Sequence, residues 1–199
     1  FLWQLDPASG AYNLPGAVRL KGALSVNALE QAFASLVARH ETLRTVFQRQ
    51  ADERLLQVAA DTSLTVEQLD LSHLALAERE EAVNAAATRQ SLLPFDLENG
   101  PLLRVQLLKL DAQEHVLLLT LHHIVSDGWS MNVLIDEFIR GYDAFERGHT
   151  PQLTDVPIQY SDYALWQRRW LEAGEQARQL TYWQAQLGDE HPVMALPAD

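Results

Sequence analysis

The spacing of apolar residues changes period several times along the chain, and each change marks an element. Residues 17–21 (Ala-Val-Arg-Leu-Lys) alternate apolar and polar as a short half-buried strand does, and Gly22 punctuates its end. Leu29, Phe33, Leu36, Val37 and His40 then recur at helical spacing. Ser25 or Asn27 is placed to cap that helix, with Glu30 three residues after Asn27 as in a capping box. Residues 44–49 and 54–59 read as two strands joined across Ala51-Asp52-Glu53, and the Ala and Glu content from Leu76 to Arg89 predicts a second helix. After Pro94, Leu102–Leu110 and His115–Leu121 are rich in Leu and Val and are separated by Asp111-Ala112-Gln113-Glu114. That is the pattern of paired, mostly buried strands. A helix starting near Ser130 presents Met131, Leu134, Ile135, Phe138, Tyr142 and Phe145 on one face. Tyr160 to Leu187 is again helical, broken around Gly174. The sum is an α/β fold, a sheet covered by helices.

Composition narrows the functions such a fold can serve. A length of 199 residues with 47% hydrophobic content suits one domain or little more. The absence of cysteine removes disulfides, thiol nucleophiles and thiolate-bound metals. With 15 Lys plus Arg against 27 Asp plus Glu, the net charge of -12 speaks against nucleic acid as a partner. Aliphatic runs such as Val116 to Leu119 are far shorter than the ~18 residues a membrane span needs. The chain opens on Phe1-Leu2-Trp3 with neither an initiator Met nor a signal peptide, so the expectation is a cytoplasmic piece of something longer. His191-Pro192 and the last residues read as irregular connection.

One stretch carries chemistry. The apolar run Val116 to Leu121 leads into His122-His123-Ile124-Val125-Ser126-Asp127-Gly128-Trp129-Ser130 and then a helix. Adjacent strand residues point to opposite faces, so one histidine enters the core and the other faces a cavity. Asp127 and Gly128 fall in the tight turn, and Ser130 is placed to cap the helix. A metal site fits poorly, since consecutive strand histidines diverge. A serine triad fits no better, because Ser126 stands in no Gly-x-Ser-x-Gly elbow. A hydrogen-bonded core cluster with a helix cap is the plain competing reading.

The string His122-His123-x-x-x-Asp127-Gly128 resembles the HHxxxDG signature of condensation domains of nonribosomal peptide synthetases, within the chloramphenicol acetyltransferase-like superfamily. Arg39-His40-Glu41-Thr42-Leu43-Arg44-Thr45-Val46-Phe47 is similar to the RHExLRTxF motif of that family, and Tyr160-Ser161-Asp162-Tyr163-Ala164-Leu165-Trp166 to its YxDFAxW motif. Phe1-Leu2-Trp3 with Tyr12-Asn13-Leu14-Pro15 is similar to its opening. The four matches stand in the family's order along essentially the whole chain.

The resemblance implies a chloramphenicol acetyltransferase-like sandwich, a mixed sheet covered by helices, forming one lobe of a two-lobed domain. Residues 1–187 would be the amino-terminal lobe and 188–199 the start of a linker to a second lobe, whose FVNT-like and QDYPFE-like motifs are not present. The implied reaction is amide bond formation between a peptidyl or aminoacyl thioester donor and an aminoacyl thioester acceptor. Upstream and downstream carrier domains bring both on 4'-phosphopantetheine arms, so the domain itself binds no cofactor or metal. An adenylation domain would belong to the parent chain. His123, the second motif histidine, is the expected cavity-facing general base or amine-positioning group. His122 and His40 are expected to be satisfied core histidines. Asp127 is expected to be architectural, paired with Arg39 or Arg44. Gly128 is assigned to turn geometry, the alternative being a backbone N–H aimed at the developing oxyanion. Trp166 is expected to bury its ring against the helices, and Trp129 and Tyr163 to pack. An epimerising or other acyltransferase relative, and a catalytically silent carrier-docking module, are the alternatives. The Asp127-Gly128-Trp129-Ser130 continuation resembles the chain-elongating class more than the epimerising one.

Overall fold

The structure, a computed structural model, describes residues 2–49, 55–59 and 64–188. The chain divides into two compact units, Phe1–Pro157 and Ile158–Asp199. In the first, a short helix α1 (Leu2–Leu5) precedes β1 (Asn13–Lys21), α2 (Val26–Arg39), a 3-10 turn (Glu41–Arg44), β2 (Thr45–Arg49) and β3 (Leu55–Ala59). β4 (Val66–Asp70), α3 (Leu76–Leu92), β5 (Leu103–Lys109), β6 (Glu114–His122) and α4 (Gly128–Glu146) follow.

Four strands form a mixed sheet in the order β1-β6-β5-β4, with β5 and β4 parallel and the other pairs antiparallel. β2 and β3 make a separate antiparallel hairpin, and the connection expected across Ala51-Asp52-Glu53 lies outside the described residues. β6 is buried at every position after Glu114, which is why its sequence is a near-continuous apolar run rather than an alternating one. Its two faces feed two cores. Leu117, Leu119 and Leu121 pack with Leu29, Phe33, Leu36 and Leu134 of α2 and α4. Val116 and Leu118 pack with Val83 and Ala86 of α3.

Three boundaries depart from the sequence pattern for identifiable reasons. β1 reaches back to Asn13 through Pro15, which an edge strand tolerates because the missing N–H costs no inner ladder bond. β4 is not legible in the sequence, since four of its five side chains are exposed and leave no alternation to read. α4 begins at Gly128 rather than near Ser130, and Asp127, not Ser130, is its cap. Along α4, Met131, Leu134, Phe138 and Tyr142 face the core, whereas Ile135 is 39% exposed. Ser25, the first of the two expected caps, accepts from the N–H of Ala28.

The second unit holds α5 (Tyr160–Trp170), a π-helical turn (Leu171–Glu175) and α6 (Gln176–Leu187). The break falls at Gly174, whose φ of 114° is a conformation that favours glycine. Rings at 160, 163, 166 and 170 form a ladder along α5, with Trp166 and Trp170 stacked at 5.8 Å and 4°. Among the described residues no helix is long and apolar enough to cross a membrane.

Candidate active site at the end of the central strand

The two histidines end β6 and part company there. His122 is the last strand residue, only 6% exposed, with Phe95 edge-on at 5.9 Å and Tyr12 at 6.1 Å. Its Nδ1 accepts the Ile124 N–H at 3.0 Å, which requires an unprotonated Nδ1 and places any proton of the neutral ring on Nε2. Burial, with a smaller push from His123, holds the His122 pKa below the ordinary histidine value. His123 is exposed. Its backbone N–H donates to the Tyr12 carbonyl at 2.8 Å, prolonging the β1–β6 ladder by one residue. The Val125 N–H then returns to the His122 carbonyl at 3.1 Å and closes the turn.

His123 lines a cleft of about 490 Å³. Leu2, Trp3, Tyr12, Phe47, Leu97 and Ile124 supply most of its walls, and Gln4 and His122 complete them. Those walls are fixed from behind. The Trp3 indole N–H donates to the Phe95 carbonyl at 3.0 Å, and the Phe47 N–H donates to the Leu97 carbonyl at 2.8 Å. The Arg104 guanidinium lies 3.7 Å over the Phe95 ring. None of these wall residues stands out in the sequence as a site residue. The signal lies in the register: β1 pairs Asn13 with His122, so the residues before Asn13 must lie beside His123.

Asp127 is exposed, and its Oδ1 accepts the Ser130 N–H at 2.8 Å and the Ser130 hydroxyl at 2.6 Å. The Ser130 hydroxyl, followed by backbone N–H groups, holds its pKa below the ordinary carboxylate value. The expected arginine pair is replaced by other partners. Arg39 Nε bonds both Glu137 oxygens at 3.3 and 3.1 Å, another Arg39 nitrogen bonds the Thr154 carbonyl, and Arg44 faces Glu41 at 3.8 Å. Glu137 lies ten residues beyond Asp127 on α4, about 15 Å at a helical rise of ~1.5 Å per residue. An arginine at the end of α2 that meets mid-α4 is therefore remote from the helix start. His40 is a half-buried ring whose Nε2 lies 2.7 Å from the same Glu137 carboxylate, rather than a histidine sealed in the core.

Gly128 has no positive φ, and a Cβ built on it would meet nothing within 4 Å, so the turn itself does not demand glycine there. Ser126 is buried and its hydroxyl has no hydrogen-bond partner among the described residues. Trp129 is 81% exposed and Trp166 56% exposed, so neither ring is packed away as expected. Trp166 belongs to the second unit, where it sits in the α5 aromatic ladder, and Tyr163 beside it is 43% exposed.

Comparison with known proteins agrees with this arrangement. The condensation domain family matches residues 1–199. Part of the linear gramicidin synthase of Brevibacillus parabrevis is 46% identical across the whole chain, and chondramide synthase cmdD of Chondromyces crocatus 41%. The chain spans only 3% and 5% of those proteins. Among solved structures, the X-domain from teicoplanin biosynthesis superposes with a TM-score of 0.81 at 32% identity, over 98% of this chain and 43% of that one. The starter condensation domain of rhizomide synthetase RzmA superposes with a TM-score of 0.85 at 24% identity, over 96% and 45%, and speaks for the fold alone. With its chloramphenicol acetyltransferase-like sheet, its double histidine and its match over every residue, the chain belongs to the condensation domain family of nonribosomal peptide synthetases.

Proposed function

We propose that this chain carries the HHxxxDG half of a site that joins two carrier-bound thioesters by an amide bond. The free α-amine of the acceptor aminoacyl thioester attacks the donor's peptidyl or aminoacyl thioester carbon. A C–N bond forms, the C–S bond breaks, and the amine proton passes by way of His123 to the departing phosphopantetheine thiolate. The observation that carries the reading is the divergence of the two rings, His122 packed away and His123 lining an open cleft. General-base help of this kind contributes ~100- to 10,000-fold, and holding two tethered reactants in register adds effective molarity on top. In this reading His122 and Asp127 hold the turn that presents His123, Gly128 leaves room for the reacting groups, and Arg39 and Arg44 brace the α2–α4 corner. Trp166 supports the second unit.

Residues 1–187 are read as the first lobe and 188–199 as the start of a linker, with a second lobe and an adenylation domain elsewhere in a cytoplasmic parent synthetase. Upstream and downstream carriers supply the phosphopantetheine arms. The test is dipeptidyl thioester formation by the complete domain from two loaded carriers. His123→Ala should abolish it while the protein stays folded, and near-normal product would remove His123 from the chemistry. A racemised donor without a new amide would mark an epimerising relative. Carrier binding without either product would mark a silent docking module.

A further inference from the structure

We infer that the cleft beside His123 seats the side chain of the acceptor residue and selects apolar side chains over charged ones. This rests on the condensation reading above and goes on to name the substrate class. Among the described residues the lining contains no Asp, Glu, Lys or Arg; its polar groups are the Gln4 amide, the Tyr12 hydroxyl and the two imidazoles. A charged side chain entering would shed water and meet no counter-charge, a cost that an aliphatic or aromatic one does not bear. At about 490 Å³ the cleft falls within the ~300–1,000 Å³ typical of small-molecule sites. Its shape is set in advance, because the Trp3 indole N–H is engaged by the Phe95 carbonyl and the backbone joins Phe47 to Leu97.

Bond counting decides which substrate the cleft serves. The nitrogen that passes its proton to His123 belongs to the acceptor, and the acceptor's Cβ is two bonds from that nitrogen. The donor's Cβ is one bond further, on the far side of the forming C–N bond. With His123 on the cleft, the acceptor side chain is the group that falls among Trp3, Phe47, Leu97 and Ile124.

The experiment measures kcat/KM for the complete domain with a fixed donor carrier and acceptor carriers loaded with Ala, Leu, Phe, Asp or Lys. The reverse series then varies the donor. Leu and Phe acceptors should outrun Asp and Lys at least ~10-fold, and Leu should exceed Ala by a similar factor, since each buried methylene is worth roughly 4-fold. The donor ranking should be flatter. Ile124→Glu, at a residue 45% exposed, should lower the Leu-to-Lys ratio at least ~10-fold. Leu2→Glu, on the opposite wall and 54% exposed, should do the same. Ratios within one variant cancel any general loss of rate. Product with a flat acceptor ranking, or selectivity confined to the donor, overturns the inference and leaves the condensation reading standing. No product from any acceptor overturns the condensation reading itself.

Discussion

Replacing His122 with phenylalanine keeps a planar ring between Phe95 and Tyr12 but removes the acceptor that holds the Ile124 N–H at 3.0 Å. An unsatisfied buried donor costs ~1–3 kcal/mol. Ile124 is 45% exposed, so water relieves part of that cost and the lower half of the range, ~1–2 kcal/mol, applies at pH 8. For a chain of this length that is a fall in Tm of roughly 2–8 °C. The pH dependence carries the sharper information. Burial holds the folded His122 pKa below its ordinary value, so on acidification the unfolded chain takes up the proton first. Native stability from this group is therefore intact above the unfolded value of ~6.5 and drains away below it, at up to ~1.4 kcal/mol per pH unit. Phenylalanine cannot titrate, so the gap between wild type and variant should shrink by ~1.4 kcal/mol between pH 8 and pH 5.5 and nearly close. Urea melts of both proteins at a series of pH values measure it. A gap that stays constant, or widens in acid, would refute the buried neutral imidazole and the turn it is said to hold.

Glu137→Ala should cost about 2–3 kcal/mol in urea denaturation, because it strands Arg39 and His40 beside a carboxylate position only 12% exposed. Leu118→Ala, which opens a cavity in a fully enclosed strand, should cost ~2–5 kcal/mol by the same measurement. Gly128→Ala should leave thermal stability unchanged or raise it by up to ~1 kcal/mol, since no strained φ or close neighbour requires glycine; a clear loss would show that the turn does. Asp127→Ala should lower Tm less than Glu137→Ala, because it removes an exposed helix cap rather than a partly buried pair.

Local period makes part of this architecture legible in the sequence. The run from Val116 to Leu121 announces a buried strand, and strand parity alone requires His122 and His123 to diverge. Gly174 announces the helix break. What stays concealed depends on partners remote in the chain. His40 and Glu137 are 97 residues apart, and nothing in either neighbourhood names the other, so the motifs point Arg39 to Asp127 although its carboxylate partner is Glu137. Large rings are usually buried, which is the whole basis for expecting Trp166 in the core, yet in the described structure it stacks on Trp170 along an exposed helix face. The cleft walls are hidden for a third reason: Trp3, Phe47 and Leu97 come from three separate stretches, and only the pairing register brings the first of them to the end of β6.

β6 is flanked on both sides by hydrogen-bonded strands and sealed on both faces. Its amides should be the slowest in the molecule to exchange with deuterium, released only when the whole unit opens. The imidazole of residue 123 is thus mounted one peptide beyond the most protected segment, not on an excursion of loose backbone. Local breathing elsewhere in the unit leaves that mount in place, and its alignment is lost only with cooperative unfolding.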